Sequence, residues 1–477
     1  MAGKTDAYQC TECGWTTARW VGRCGECQTW GSVVERGAPK LASVTASVPT
    51  AKAQPIATIS AQAANRRLTG ISELDRVLGG GLVAGVTVLL AGEPGVGKST
   101  LLLDVAARWA ATGQRTLYVT GEESAAQVRL RAERTHALAD ELYLAAETDL
   151  EVVLGHVEEV APSLLVLDSI QTIGTAQADG SPGGVGQVRE VAGALVRVAK
   201  RRGMAVIIVG HVTKDGGIAG PRTLEHLVDV VLSFEGDRHS GFRMVRATKN
   251  RYGPADEVGC FEMAEDGIRE VPDPSGLFIS QHDDPAPGTC VTVTMEGRRP
   301  LVAELQALVT RAPRETPARR VTNGVDFSRT AMILAVLQGQ ARVPLSRCDV
   351  YVSTVGGARV TDPSADLAAA IAVASAASGH DLPHRVLALG EVGLAGDLRR
   401  VPDVARRLAE AARLGFELAL VPAGSQMLGG AKPDLHGLRV SPVSTLAQAL
   451  GVLGLPVPHP SHSTTTSPTW RAGQGVA

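Results

Sequence analysis

The chain has almost no net charge: 47 lysines and arginines stand against 49 aspartates and glutamates, a balance of -2. No global positive field draws the molecule toward phosphate, so any nucleic-acid binding must come from local basic surfaces. The first 30 residues hold charges and four cysteines but no uninterrupted apolar stretch. Neither a signal peptide nor a membrane anchor is read there, and a cytoplasmic protein is expected. Lysine is missing altogether between Lys249 and Lys432, an absence that bears on the chemistry of the C-terminal half.

With 477 residues the chain exceeds what one hydrophobic core usually serves, so two or three folded units are expected. The apolar share of 44% and charged share of 20% exclude global disorder. Residues 1–35 form a compact head rich in cysteine and tryptophan. Residues 36–64 are mostly Ala, Ser, Thr, Pro and Lys, a composition that cannot bury enough apolar surface to order itself, and a flexible linker is expected. Across 65–275, short β-rich runs at 86–91, 116–120, 163–168, 204–210 and 228–234 alternate with helical stretches at 99–112 and 187–201. That alternation predicts a largely parallel sheet covered by helices. Residues 286–456 read as a second α/β domain, with strand-like 290–295 and 350–355 and Ala-rich helices at 364–378 and 404–414. Residues 457–477 read as a disordered tail.

Cys10, Cys13, Cys24 and Cys27 form C-x2-C-x10-C-x2-C, in which each close pair supplies two thiolates to one tetrahedron. Two disulfides or a redox pair compete with this reading, but a cytosolic chain keeps its thiols reduced, so a structural Zn2+ is expected. Trp15, Trp20 and Trp30, with Arg19 and Arg23, either face DNA or a partner or pack the small core.

Gly92-Glu93-Pro94-Gly95-Val96-Gly97-Lys98-Ser99 fits G-x4-G-K-[ST], follows an apolar run and opens a helical one. The glycines let backbone N–H groups wrap phosphates, Lys98 reaches the β- and γ-phosphates, and the Ser99 hydroxyl binds Mg2+ accompanying ATP. Leu164-Leu-Val-Leu-Asp168 is a buried-strand pattern ending in the carboxylate that a magnesium partner requires. Glu122 and Glu123 follow the run 116–120, and one of them is expected to orient the attacking water, Glu122 first. His211 closes the next strand as a γ-phosphate sensor or as a structural histidine.

Thr69-Gly-Ile-Ser-Glu-Leu-Asp75, then Leu78-Gly-Gly-Gly-Leu82 leading into the P-loop, resembles the shared opening of RecA-superfamily ATPases. The four-cysteine head, the segment Gly210-His-Val-Thr-Lys-Asp-Gly-Gly-Ile-Ala-Gly-Pro-Arg222 and Lys249-Asn-Arg-Tyr-Gly253 narrow the resemblance to the RadA/Sms DNA-repair family. The last segment is similar to the family's K-N-R-F-G, with Tyr252 for phenylalanine. The resemblance implies a RecA-like core between an N-terminal zinc finger and a C-terminal domain similar to the Lon protease. It also implies a hexameric ring with ATP between subunits, so that Lys249 and Arg251 act on the neighbour's nucleotide. Loops at 174–186 and 214–222, with Lys214 and Arg222, would grip single-stranded or branched DNA. The activity implied is an ATP-driven motor for branch migration, nucleoid-associated, with the RecA recombinase or a replicative helicase as partner.

In Asp362-Pro-Ser-Ala-Asp366, Ser364 stands where Lon-type proteases carry their nucleophile in P-S-A-G. Those enzymes use a lysine base, but the matching region here reads Val404-Ala-Arg-Arg407. A guanidinium does not lose its proton at useful pH, so proteolysis is not expected. Asp362 as N-cap and Pro363 at the first helical position would instead start the following helix. Arg298, Arg299, Arg311, Arg314, Arg319 and Arg320 form either a DNA-binding face or scattered surface charge. Two rivals to the motor reading remain: an ATP-dependent protease, and a scaffold that uses ATP only to assemble and recruits a recombinase through its zinc head.

Overall fold

The computed structural model describes residues 7–35, 55–58, 65–211, 223–236, 241–280, 286–313, 317–425, 435 and 437–456. The expected linker apart from 55–58, the basic residues Lys214, Arg222 and Arg314, and the expected tail lie outside the described residues. The chain forms two compact units, 1–61 and 62–477. In the first, strands β1 (Tyr8–Cys10), β2 (Thr16–Thr17) and β3 (Val33–Glu35) make a small antiparallel sheet in the order β2-β1-β3.

The second unit opens with the ribbon β4 (Arg66–Arg67) and β5 (Leu82–Val83), which brackets helix α1 (Ser72–Leu78). The strands that follow are β6 (Thr87–Gly92), β7 (Thr116–Thr120), β8 (Leu142–Ala146), β9 (Leu164–Asp168), β10 (Ala205–His211), β11 (Val230–Gly236), β12 (Phe242–Asn250), β13 (Val258–Ala264) and β14 (Gly267–Glu270). They form one sheet in the order β14-β13-β12-β11-β6-β10-β9-β7-β8. The six strands from β8 to β11 in that order run parallel, and β12 to β14 extend the sheet as an antiparallel meander. Every residue of β6, β7 and β9 is buried, as the apolar runs in the sequence require of strands covered on both faces.

Helices α2 (Lys98–Ala111), α3 (Ala125–Arg134), α4 (Leu150–Val160) and α5 (Val185–Arg202) supply those covers. Side chains of α1 and α2 pack into one core and those of α4 and α5 into another, on opposite faces of the sheet. Ser124 and Gln127 form a reciprocal capping box that starts α3, and the Asp149 carboxylate accepts from two N–H groups at the start of α4, each satisfying donors the helix cannot.

The C-terminal part holds β15 (Thr289–Glu296), β16 (Arg299–Arg311), β17 (Arg320–Asn323), β18 (Cys348–Thr354), β19 (Val386–Ala388), the small ribbon β20 (Glu391–Val392) and β21 (Leu398–Arg399), then β22 (Leu418–Pro422) and β23 (Arg439–Val443). Seven of these make a mixed sheet ordered β17-β18-β16-β15-β19-β22-β23. Helices α6 (Phe327–Gly339), α7 (Asp366–Ser378) and α9 (Leu446–Val452) pack into one core, and α8 (Val404–Arg413) into a second. The first ten residues of α7 are all buried, which its run of alanines allows because small side chains let neighbours approach from every side.

Arg299 corrects one expectation. It is no surface cation but a buried one, paired with buried Glu73 on α1 and donating to Val258 O at 3.3 Å. Together with Arg246 and Glu296, 2.5 Å apart, it ties the C-terminal hairpin β15–β16 to the first sheet. Arg320 is likewise half-buried and donates to Leu345 O at 3.1 Å, whereas Arg298, Arg311 and Arg319 are exposed.

Candidate active site

The segment Gly92–Ser99 leaves the end of β6 and enters α2. Gly97, at φ 107°, caps α2 in a left-handed conformation that other residues rarely adopt. Gly92 lies so close to the neighbouring strand that a Cβ would come within 2.5 Å of Phe234 O. The result is a helix N-terminus with backbone N–H groups facing a glycine-rich turn, a cradle for phosphate. Lys98 is buried and donates to Gly92 O and Glu93 O, both at 2.8 Å. Burial pulls its ammonium below the usual lysine range, against the opposing pull of Asp168 and Glu122. Arg243 of β12 donates from Nε to Val96 O at 3.1 Å and so braces the loop.

Asp168 ends β9 beside this loop. Its Oδ2 accepts from the buried Tyr118 hydroxyl at 2.6 Å, while Oδ1 is buried with no hydrogen-bond partner among the described residues. Burial, then Asp168, push the Tyr118 phenol well above its ordinary value, so it acts here as a donor. A buried carboxylate oxygen left unpaired is costly unless a ligand completes it, and this one fits a hydrated magnesium. Ser99 and Asp168 would hold that ion, which neutralises phosphate charge.

The structure separates the two adjacent glutamates. Glu122 Oε1 accepts from Ser169 Oγ at 2.5 Å and lies 2.9 Å from His211 Nε2. Burial raises the Glu122 carboxyl, but Ser169, His211 and Lys98 outweigh it and hold the group below its usual range, hence ionised and able to polarise water. Glu123 is turned to Arg131 of α3. His211 Nδ1 and Gln171 Oε1 are buried without partners among the described residues, and Gln171 Nε2 donates weakly to His211 O at 3.4 Å. His211 thus touches the ionised Glu122 carboxylate, which also feels the Lys98 charge.

Lys249 and Arg251 are not brought to this loop. In the sheet register Lys249 lies opposite Val231 and Asn250 opposite Val230, which is level with Val88. Val88 precedes Gly92 by four residues on β6, so the basic pair sits roughly 13 Å away along the strands at about 3.3 Å per residue. Lys249 Nζ donates to Val228 O at 2.8 Å and also to Glu225 O; Arg251 Nη1 donates to Asp229 Oδ1 at 3.2 Å. The loop 174–186 wraps buried Gln187, whose amide bonds Thr175 N at 2.9 Å, Thr175 O at 3.1 Å and Gly180 O at 3.2 Å.

In the zinc head two matching knuckles face each other, each closed by a residue of positive φ, Gly14 at 76° and Gln28 at 61°. The four sulfurs lie within 4.8 Å of one another, with Cys10 and Cys27 3.7 Å apart and Cys13 and Cys24 3.6 Å apart. Four Zn–S bonds of about 2.3 Å in a tetrahedron need S···S separations of about 3.8 Å, so the set fits one structural Zn2+. The Ser32 hydroxyl, 3.2 Å from Cys10 Sγ, pulls that thiol down to about 6. The tryptophans divide: Trp15 packs on the small core, while Trp20 and Trp30 are exposed, Trp30 with Arg23 stacked 5.8 Å from its ring centre.

Ser364 is sealed. It is buried, and its Oγ accepts from Arg407 Nη1 at 2.7 Å; the same guanidinium donates to Val293 O at 2.6 Å, to Asp362 Oδ2 at 2.6 Å and to Pro402 O at 3.0 Å. Arg407, itself 1% exposed, occupies the position from which a base would act and cannot accept a proton. The expected helix start is displaced: Asp362 and Pro363 open a short 3-10 turn, Pro363–Ala365, and the α-helix begins at Asp366.

Sequence reasoning missed Tyr118, Ser169, Arg131 and Arg243. Tyr118 left a signal, a lone hydroxyl-bearing aromatic inside a strand that is buried on both faces. Arg243 left none, because its role depends on β12 lying beside the P-loop end of β11.

A four-thiolate ribbon joined to a parallel-sheet P-loop ATPase defines the class of protein. Comparison with known families agrees: residues 8–35 match a rubredoxin metal binding domain, 53–217 an AAA domain, and 321–425 the ChlI subunit of Mg-chelatase. The DNA repair protein RadA of Mycolicibacterium smegmatis is 58% identical over 89% of this chain and 93% of its own length. The protein of that name from Mycobacterium tuberculosis is 52% identical over 94% of each chain, and that of Halalkalibacterium halodurans 44% over 95% and 99%. The chain belongs to the RadA family of DNA repair proteins. Among the described residues no helix is long and apolar enough to cross a membrane.

Proposed function

We propose that this chain is a DNA-dependent ATPase that assembles as a ring, moves on single-stranded and branched DNA, and promotes branch migration of recombination intermediates. Lys98 and the loop Gly92–Ser99 hold the phosphates, Ser99 and Asp168 hold magnesium, Glu122 orients the attacking water, and His211 reports the γ-phosphate. Lys249 and Arg251 complete the site of a neighbouring copy. The observation that carries this reading is the register: the basic pair stands at the end of the sheet away from its own P-loop, which favours a nucleotide on another subunit. Residues 1–35 serve as a docking module, and 286–456 supports the ring without proteolysis.

The test is steady-state ATP hydrolysis with and without single-stranded DNA, for the full chain and for Lys98→Ala and Arg251→Ala. DNA raises turnover several-fold, each variant alone is inactive, and a mixture of the two recovers part of the rate, because one intact site forms between the intact faces of unlike subunits. Turnover indifferent to DNA turns the reading toward a scaffold; a mixture as inactive as its components removes the trans assignment.

A further inference from the structure

Arg251 is tied to an unusual group. Asp229 is 2% exposed, yet two cations share its carboxylate. Lys200, in the last turn of α5, donates to Oδ2 at 2.7 Å, and the Thr87 N–H donates to the same oxygen at 3.1 Å. Arg251 holds only Oδ1, at 3.2 Å, and its side chain is 55% exposed. The phenol of Tyr252 lies 3.2 Å from Lys200 Nζ, whose ammonium also stands 5.8 Å from the centre of that ring. One carboxylate therefore joins β6, α5 and the turn after β12, with one shorter partner that also meets the Tyr252 hydroxyl and one longer partner without that second contact.

A buried carboxylate stripped of its last cation is strongly destabilising, whereas one that keeps a hydrogen-bonded partner is tolerated. Arg251 is thus free to leave only because Lys200 stays. We propose that Asp229 and Lys200 are a positioning pair for Arg251: Asp229 parks the guanidinium at the subunit face, and Lys200 keeps the carboxylate compensated when Arg251 moves to the phosphates of ATP on another copy of this chain. This rests on the trans reading above. Without Lys200, Arg251 is the one cation hydrogen-bonded to Asp229 among the described residues; it stays there, and the neighbouring site loses its finger. Tyr252 adds a hydroxyl that phenylalanine lacks, which orients the Lys200 ammonium toward Asp229.

The experiment compares DNA-stimulated turnover of the full chain with that of Lys200→Met, which removes the cation and keeps the stem over the Tyr252 ring. In Lys200→Met, kcat falls about tenfold while KM for ATP is unchanged, the pattern of an interaction made only in the transition state. Lys200→Arg, which restores a cation, recovers most of the loss. Adding Asp229→Asn to Lys200→Met also recovers turnover, since a neutral amide no longer retains Arg251; a merely structural role for Lys200 gives no such rescue. Wild-type turnover in Lys200→Met, or a double variant no better than the single one, overturns the pairing. If Arg251→Ala itself leaves turnover intact, the trans reading falls and the pairing with it. If Arg251→Ala is inactive while Lys200→Met is normal, only the pairing falls.

Discussion

Two sites in this chain are built on buried polar side chains, and they are finished in opposite ways. At the P-loop, Asp168 Oδ1, His211 Nδ1 and Gln171 Oε1 are buried without partners among the described residues, and Glu122 is held ionised between Ser169 and His211. At Ser364 the hydrogen bonds are made: one guanidinium satisfies the serine, Asp362, Val293 O and Pro402 O together. Buried groups left incomplete cost stability and are retained where a ligand completes them. Groups completed by the protein itself hold a fold together and need no ligand. The difference teaches that a nucleophile's presence says little until its neighbours are known.

That contrast is broken first by removing the seal. Arg407→Ala leaves the partly exposed Asp362 without its cation and buried Ser364 without its donor, and should cost about 2–3 kcal/mol, read as a drop in the midpoint of chemical unfolding, with ATP affinity unchanged wherever the ATPase part stays folded. An unfolding midpoint equal to wild type would show that the guanidinium is not the keystone of the C-terminal core. At the incomplete site the balance is reversed: Glu122→Gln should lower kcat by about 10²-fold or more while nucleotide binding and unfolding midpoint stay near wild type. Loss of activity after Glu123→Gln but not Glu122→Gln would exchange their roles.

Smaller effects sharpen the same distinction. Ser364→Ala removes one hydrogen bond and should cost about 1 kcal/mol with no change in ATP turnover; casein digestion by wild type that vanishes in this variant would revive the protease. The smallest effect is at the pair Asp273 and Arg413, 2.9 Å apart and about half exposed. Arg413 pulls the Asp273 carboxyl from 3.8 down to about 2. Because the folded value is the lower one, the pair's contribution is full above about 4 and fades as pH falls toward 2, and exposure keeps it under about 1 kcal/mol. Arg413→Ala should therefore lower the unfolding midpoint slightly at neutral pH and by progressively less as pH falls to about 2.

Much of the first sheet was legible. The apolar runs at 116–120 and 163–168 are strands, and the P-loop lies between strand and helix as its motif requires. Strand β8, half exposed at the sheet's edge, and the meander β12–β14 were not, since neither has a continuous apolar run nor a motif. At the site, Lys98, Asp168 and Glu122 were legible because each ends or follows a recognisable strand. Tyr118, Ser169 and Arg131 were not, because their significance lies in what they touch.

What this sequence determined by itself was local chemistry: cysteine spacing that sets four thiolates, glycines that make a phosphate cradle, and the absence of any lysine between Lys249 and Lys432 that could serve Ser364. Short motifs carry such information because their atoms are held together by a few bonds of backbone. Tertiary structure alone decided which of two adjacent glutamates meets His211, that Arg299 is a buried partner of Glu73, that Arg407 seals a serine 43 residues away, and that Asp229 holds both Lys200 and Arg251. Those pairings are set by strand register and helix packing between distant segments, and no local pattern encodes which of many arginines will find which carboxylate.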